Sequence, residues 1–149
     1  MKKMPNHRQS FLYRIVSFTL ALVTAWLLAS ITATQSVITS LAGMGVDINL
    51  VENLNMTLKD LAAMAGTFLP LIAAGYLAAF LVAWMLCHWW PHWRLGLYIL
   101  AGASALVAIH LILNLAFGIT PIAIGRSAVG LFIQGLAGAT GGYVYARRL

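Results

Sequence analysis

Four long apolar stretches dominate the chain. They run from about Phe11 to Ala33, Leu61 to Cys87, Trp93 to Gly118 and Pro121 to Ala146. A helix needs about 20 mostly apolar residues to cross the hydrocarbon core of a bilayer. The period-2 alternation of barrel strands is absent from all four stretches, and a backbone in lipid must satisfy its own hydrogen bonds. The sequence therefore predicts an all-α integral membrane four-helix bundle that forms a single membrane domain over residues 1–149.

The polar connection at about residues 34–60 interrupts this apolar pattern. Its own apolar residues recur at helical spacing, at Leu50, Val51, Leu54 and Leu58. This spacing predicts a short amphipathic helix that lies on the outer leaflet between spans 1 and 2. Thr57 followed by Asp60 predicts a capping box that opens the second span.

The placement of charge predicts the orientation. Hydrophobic residues make up 62% of the chain and charged residues only 8%, whereas soluble domains carry about a quarter charged residues. Basic residues lie at the N-terminus, at Arg94 and at the C-terminus, while the acids Asp47, Glu52 and Asp60 lie between the first two spans. The positive-inside rule then places both termini in the cytoplasm and residues 34–60 outside. The expected location is a plasma membrane, the inner membrane of a bacterium.

Two further features of composition bear on partners and processing. The net charge of +6 indicates topology rather than nucleic-acid binding, because no basic stripe with interleaved aromatic residues occurs. The first span also has features of a signal peptide, but its apolar run is long for one and no A-x-A site follows. We expect it to be retained as an anchor helix.

The third and fourth stretches are joined by a tight turn near Ile119 and predict an antiparallel hairpin. For two residues at the same depth in the membrane, one on each helix, the residue numbers should then add up to about 240. This register places Asn114 level with Arg126, and His110 level with Gly130. The predicted binding cluster, in the outer leaflet, consists of His110, Asn114, Arg126, Gln134 and Asp60.

One stripe of the fourth stretch repeats every fourth residue and contains three glycines. It comprises Arg126, Gly130, Gln134, Gly138 and Gly142. Glycines at this spacing let a neighbouring helix approach closely, so they predict a helix-packing seam. The seam could face the third or second span of the same chain, or a second copy in a homodimer.

Two polar residues of the cluster have competing interpretations. Arg126 either extends to the water layer or pairs with Asp60 or Asp47; it could also hold an anionic headgroup or ligand beside Asn114. His110 is either a neutral imidazole bonded to Asn114, Gln134 or a hydroxyl, or a group for haem, quinone or protons. A second histidine at matching depth is missing from the sequence, and Pro91 separates His88 from His92, so no cofactor and no metal site is predicted.

Enzymatic activity is the least expected function, because the spans contain no carboxylate and no nucleophile with a nearby base. The leading hypothesis is a non-catalytic accessory or assembly subunit that packs through the glycine seam. The alternative is a small transporter or channel that uses the polar cluster. The expected partners are membrane lipids and either another membrane protein or further copies of the chain.

Overall fold

The computed structural model describes residues 7–117 and 123–149. Within these ranges the chain forms α1 (His7–Gly43), α2 (Leu50–Trp89), α3 (Arg94–Phe117) and α4 (Ala128–Arg148). Short 3-10 helices cover Pro91–Trp93 and Ala123–Arg126, and no strand occurs in the described ranges. The all-α prediction is confirmed.

Three helices are long and apolar enough to cross a membrane. Among the described residues they span Phe11–Gly43, Leu50–Trp89 and Pro91–Ala116. The chain is therefore a membrane protein with transmembrane helices. The fourth span stays a prediction, because α4 has 21 residues but glycine, glutamine and threonine dilute its apolar content.

The outer connection differs from the prediction. There is no separate amphipathic helix: α1 extends through 37 residues and α2 through 40, which correspond to roughly 55 and 60 Å. The two helices form one long hairpin whose turn covers residues 44–49, with Gly45 at a φ of +84°. We call this end of the molecule the hairpin end, and the opposite end, with Trp84, Trp89, Trp90 and Trp93, the tryptophan end.

The cap of α2 explains this continuity. The side chain of Asn49 accepts a hydrogen bond from the Glu52 amide at 2.9 Å, and the Asn49 amide donates to the Glu52 carboxylate at 3.1 Å. This capping box starts the helix at Leu50, so the box predicted at Thr57 and Asp60 is wrong. Thr57 instead donates to the carbonyl of Asn53 inside the helix.

The start of α4 also lies later than predicted. Ser127 is its N-cap and accepts a hydrogen bond from the Gly130 amide at 2.9 Å. The backbone of Arg126 belongs to the preceding 3-10 helix. Arg126 therefore does not continue the four-residue repeat of α4, and its side chain lies outside the described residues.

The backbone of each helix approaches those of two others, and aromatic side chains of α2 also reach α4. α4 contacts α3 and α1, and α2 contacts α1 and α3. The interior combines alanines of α1, such as Ala21 and Ala25, with aromatic residues of α2, such as Tyr76 and Phe80. Large aromatic side chains of α2 thus fill the space left by the small residues of α1 and α4.

Candidate functional site

The α3–α4 seam sets the geometry of the site. A Cβ added at Gly138 would overlap the carbonyl oxygen of Gly102, and one added at Gly102 would overlap that of Gly138. A Cβ at Gly142 would overlap the carbonyl of Tyr98. These pairings agree with the predicted antiparallel register, in which residue numbers add up to about 240. The two backbones touch directly, so the seam leaves no room for a side chain on either helix.

The repeat of small residues is a seam within the chain. Gly130, Gly138 and Gly142 are buried, and a homodimer through these glycines would need the face that α3 occupies. Gly130 departs from the prediction, since a Cβ there would overlap the carbonyl of Ile124 in the 3-10 helix rather than meet His110. That 3-10 helix folds back over the first turn of α4.

A second glycine contact, at Gly141, was missed by the sequence reasoning. A Cβ there would overlap the Tyr76 hydroxyl and lie 2.8 Å from the carbonyl oxygen of Ala21. The Tyr76 hydroxyl donates to the carbonyl of Gly138 at 2.7 Å. The signal for this α1–α4 contact is a row of alanines at every fourth position of α1: Ala21, Ala25, Ala29 and Ala33.

Gln134 joins α4 to α1. Its side chain is fully buried, and its Nε2 donates to the carbonyl of Ala29 at 3.0 Å and to the Thr32 hydroxyl at 3.3 Å. Its Oε1 is buried without a hydrogen-bond partner among the described residues. The amide thus has one satisfied and one unused end in the interior.

His110 is buried between three elements. Its Nδ1 lies 2.9 Å from the carbonyl oxygen of Leu106; because a carbonyl only accepts, Nδ1 carries the hydrogen. Its ring packs edge-on against Phe68, with centroids 5.7 Å apart, and the backbone of Gly125 lies against Cδ2. The predicted partners, Asn114, Gln134 or a hydroxyl, are therefore wrong for Nδ1. In neutral imidazole Nε2 is the acceptor, and it has no partner in the described part of the chain.

The other predicted cluster residues lie in different surroundings. Asn114 is exposed on α3, and Asp60 accepts a hydrogen bond from the Thr34 hydroxyl at 3.0 Å. The pairing of Arg126 with Asp60 or Asp47 falls on a side chain outside the described residues and stays a prediction. His110, Gln134 and Asp60 thus have separate hydrogen-bond partners, which lie on α3 for His110 and on α1 for Gln134 and Asp60.

A row of polar contacts beside Asp60 was also missed. Gln35 donates to the side-chain oxygen of Asn53 at 3.0 Å and to the Thr57 hydroxyl at 3.4 Å. Together with the contact between Thr34 and Asp60, these bonds join α1 to α2 towards the hairpin end. The sequence signal was the polar triplet 34–36 placed opposite the polar residues of 53–60 in an antiparallel pair.

Several buried polar atoms of the helices have hydrogen-bonding capacity that no described residue satisfies. Among the described residues, four buried side-chain atoms have no hydrogen-bond partner: Trp26 Nε1, Ser30 Oγ, His110 Nε2 and Gln134 Oε1. Each such atom costs about 1–3 kcal/mol unless a bonding partner reaches it. In the same residues, no three His, Cys, Asp or Glu side chains are grouped as metal ligands would be. Of these atoms, His110 Nε2 and Gln134 Oε1 can each accept a hydrogen bond, and the Ser30 hydroxyl can donate or accept one, so each can bind a water or a small polar group.

No protein-family model, curated protein or solved structure matches this chain.

Proposed function

We propose that the chain is a small polytopic protein of a bacterial inner membrane, a four-helix bundle with both termini in the cytoplasm. It acts without catalysis, as an accessory or assembly subunit. The interior supports this proposal, because direct backbone contact at Gly102 and Gly138 leaves no lumen between α3 and α4. Since these glycines are used within the chain, a partner protein must bind elsewhere.

The observation that carries the proposal is an apolar stripe on the extended part of α2. Leu50, Leu54 and Leu58 recur every fourth residue and are 83%, 62% and 63% exposed. Leu58 lies about 39 Å along the helix axis from Trp84, whereas the hydrocarbon core is about 30 Å thick. With the tryptophans at one interface, these leucines project beyond the lipid tails, and an exposed apolar stripe at that place fits a binding surface for another protein.

The partner that fits is a membrane protein with an extramembrane segment close to the bilayer. The stripe begins beside the hairpin turn and runs along α2 towards the membrane, so a partner anchored in the same membrane could cover its whole length. Glu52 and Lys59 flank the leucines and are exposed, which provides a polar rim around an apolar centre. An accessory subunit that docks sideways on a larger membrane protein needs a surface of this kind.

Affinity purification in mild detergent, with mass spectrometry of co-purifying proteins, tests the proposal. We expect a stoichiometric membrane-protein partner with the wild type and its loss with Leu54→Asn/Leu58→Asn. The matched control is Asn55→Ala, which changes an exposed neighbour outside the stripe and its polar rim and should retain the partner. A homo-oligomer without other proteins, or equal retention by both variants, would contradict the proposal.

Cysteine accessibility mapping tests the proposed orientation. In a Cys87→Ser background, a single cysteine at Asp47 should react with an impermeant reagent from outside, and one at Leu149 should be protected. The expectation rests on the basic residues at both chain ends and at Arg94. External labelling at Leu149 would reverse the assignment.

A second candidate, a small transporter or channel, is favoured by the unpaired buried atoms of Ser30, His110 and Gln134. Proteoliposomes loaded with a pH-sensitive dye provide the test, with protons as the probe. For this candidate we expect proton flux above that of empty liposomes, with loss in His110→Phe and retention in Gly66→Ala. Absence of flux in the wild type would remove proton transport from consideration.

A further inference from the structure

A cleft of about 570 Å³ lies at the tryptophan end, where all four helices contribute side chains. It is separate from the polar cluster and from the leucine stripe. Arg14 of α1 and Arg94 of α3 line it together with Trp84 of α2 and Tyr145 of α4. Two cations and several aromatic rings therefore share one opening.

The floor of the cleft is a packed aromatic group. Phe80 and Tyr145 are stacked, with centroids 4.6 Å apart, and Tyr98 meets Tyr145 edge-on at 5.2 Å. Phe18 meets both Phe80 and Tyr145 edge-on. Rings that hold one another in this way form a rigid base, so the cleft needs little ordering before a ligand binds.

The charge in the cleft is not balanced by an acidic side chain of this chain. The chain contains three acids, and all lie between residues 47 and 60, towards the hairpin end. The acid nearest in sequence, Asp60, is about 40 Å along α2 from Cys87, which also lines the cleft. Arg14, Arg94, Tyr98 and Tyr145 all line the cleft, so the two positive charges face one opening.

The outer wall of the cleft faces the lipid. Leu77, Leu81 and Trp84 line it and are each 61% exposed. They lie on α2 at spacings of three and four residues and form one face of the helix. An apolar wall that rises from two guanidinium groups matches the shape of a phospholipid, with its phosphate at the interface and its chains in the core.

We propose that this cleft binds an anionic phospholipid from the leaflet at the tryptophan end. Arg14 and Arg94 grip the phosphate through their planar forks, and the acyl chains lie along Leu77 and Leu81. Basic pockets between transmembrane helices recognise anionic headgroups in this manner. The volume is within the range of roughly 300–1,000 Å³ that is usual for small-molecule sites, large enough for a phosphoglycerol headgroup.

Native mass spectrometry of the full chain in mild detergent tests the proposal, with phosphatidylglycerol and phosphatidylcholine added at equal concentration. We expect the wild type to retain phosphatidylglycerol about tenfold better, since two arginines that line one cleft favour a headgroup with net negative charge. Arg14→Gln/Arg94→Gln should lose this preference. The matched control is Arg147→Gln/Arg148→Gln, which removes the same amount of charge at the same end of the molecule from side chains that do not line the cleft. This variant should keep the preference for phosphatidylglycerol.

Three outcomes would overturn the proposal. They are equal retention of the two lipids by the wild type, equal loss in both double variants, and displacement of the lipid by millimolar inorganic phosphate, which would indicate a free-anion site. If Arg14→Gln/Arg94→Gln does not stay folded by gel filtration, the single variant Arg14→Gln decides, because that side chain is exposed. It should lower the preference several-fold, and an unchanged preference would refute the site.

Discussion

The α3–α4 seam and the polar part of the α1–α2 hairpin join antiparallel helices by opposite means. At the seam, Gly102 and Gly138 bring two backbones into contact. In the hairpin, side chains bridge the helices, with Thr34 bonded to Asp60 and Gln35 to Asn53. In lipid there is no hydrophobic force between helices, so close packing of small residues holds them together. In the hairpin, Asn53 and Asp60 are only half-buried, so water is an alternative partner for them and each bond contributes little. We expect the seam to tolerate almost no change and the hairpin to tolerate most single changes.

The largest expected effect is that of Gly138→Leu. A side chain there must displace the backbone of α3 at Gly102, so we expect a loss of about 3 kcal/mol or more in the free energy of unfolding, or failure to fold. Ala139→Leu is the control, because Ala139 is the next residue and only half-buried. Thermal unfolding in mild detergent measures both. Similar losses at the two positions would mean that the close backbone contact at the seam does not cause the loss at Gly138.

An intermediate effect is expected for Gln134→Leu, which breaks the bonds to Ala29 and Thr32 on α1. The loss should be about 1 kcal/mol, because interhelical hydrogen bonds in membranes contribute roughly 0.6–1.7 kcal/mol. A double-mutant cycle with Thr32→Val isolates the side-chain bond. Additive effects in that cycle would show that Gln134 acts through Ala29 or through packing alone.

A smaller effect is expected in the hairpin for Thr34→Val, which removes the bond to Asp60. The loss should be about 0.5–1 kcal/mol, since the Asp60 carboxylate is half-buried and water can replace the hydroxyl. Asp60→Ala should cost a similar amount if Thr34 is its main partner.

The predicted pairing of Asp60 with Arg126 implies a larger loss of stability for Asp60→Ala. If Arg126 binds the carboxylate, the loss of stability caused by Asp60→Ala should exceed that caused by Thr34→Val. In a chain that already carries Arg126→Ala, Asp60→Ala should add little further loss. A double-mutant cycle on stability in detergent measures the coupling. Additive losses would show that Arg126 does not pair with Asp60 and that its side chain extends to the headgroup layer, where it can reach water.

The smallest effect is expected for Gly66→Ala, with the opposite sign. A Cβ at Gly66 meets nothing within 4 Å, so alanine should stabilise α2 by about 0.5 kcal/mol through its higher helix propensity. Gly138→Ala is the matched substitution at the seam and should destabilise. Destabilisation by Gly66→Ala would mean that close backbone contact is not what distinguishes these glycines.

The length and composition of the apolar stretches by themselves determined the helical fold and its place in a membrane. A backbone in lipid has few alternatives to the helix, so apolar length alone suffices. The register of α3 against α4 followed from the short turn, and it places Gly138 opposite Gly102 as expected. The tertiary structure decided where helices begin and what their polar atoms bond to. Ser127 rather than the region of Pro121 opens α4, and Asn49 rather than Thr57 opens α2, because caps compete over small energy differences that packing settles. His110 bonds to the carbonyl of Leu106 on its own helix, which is a choice of side-chain rotamer. Gln134 bonds to the carbonyl of Ala29 because the rotation of α4 about its axis turns this side chain towards α1. A periodic pattern specifies neither the rotamer nor the rotation.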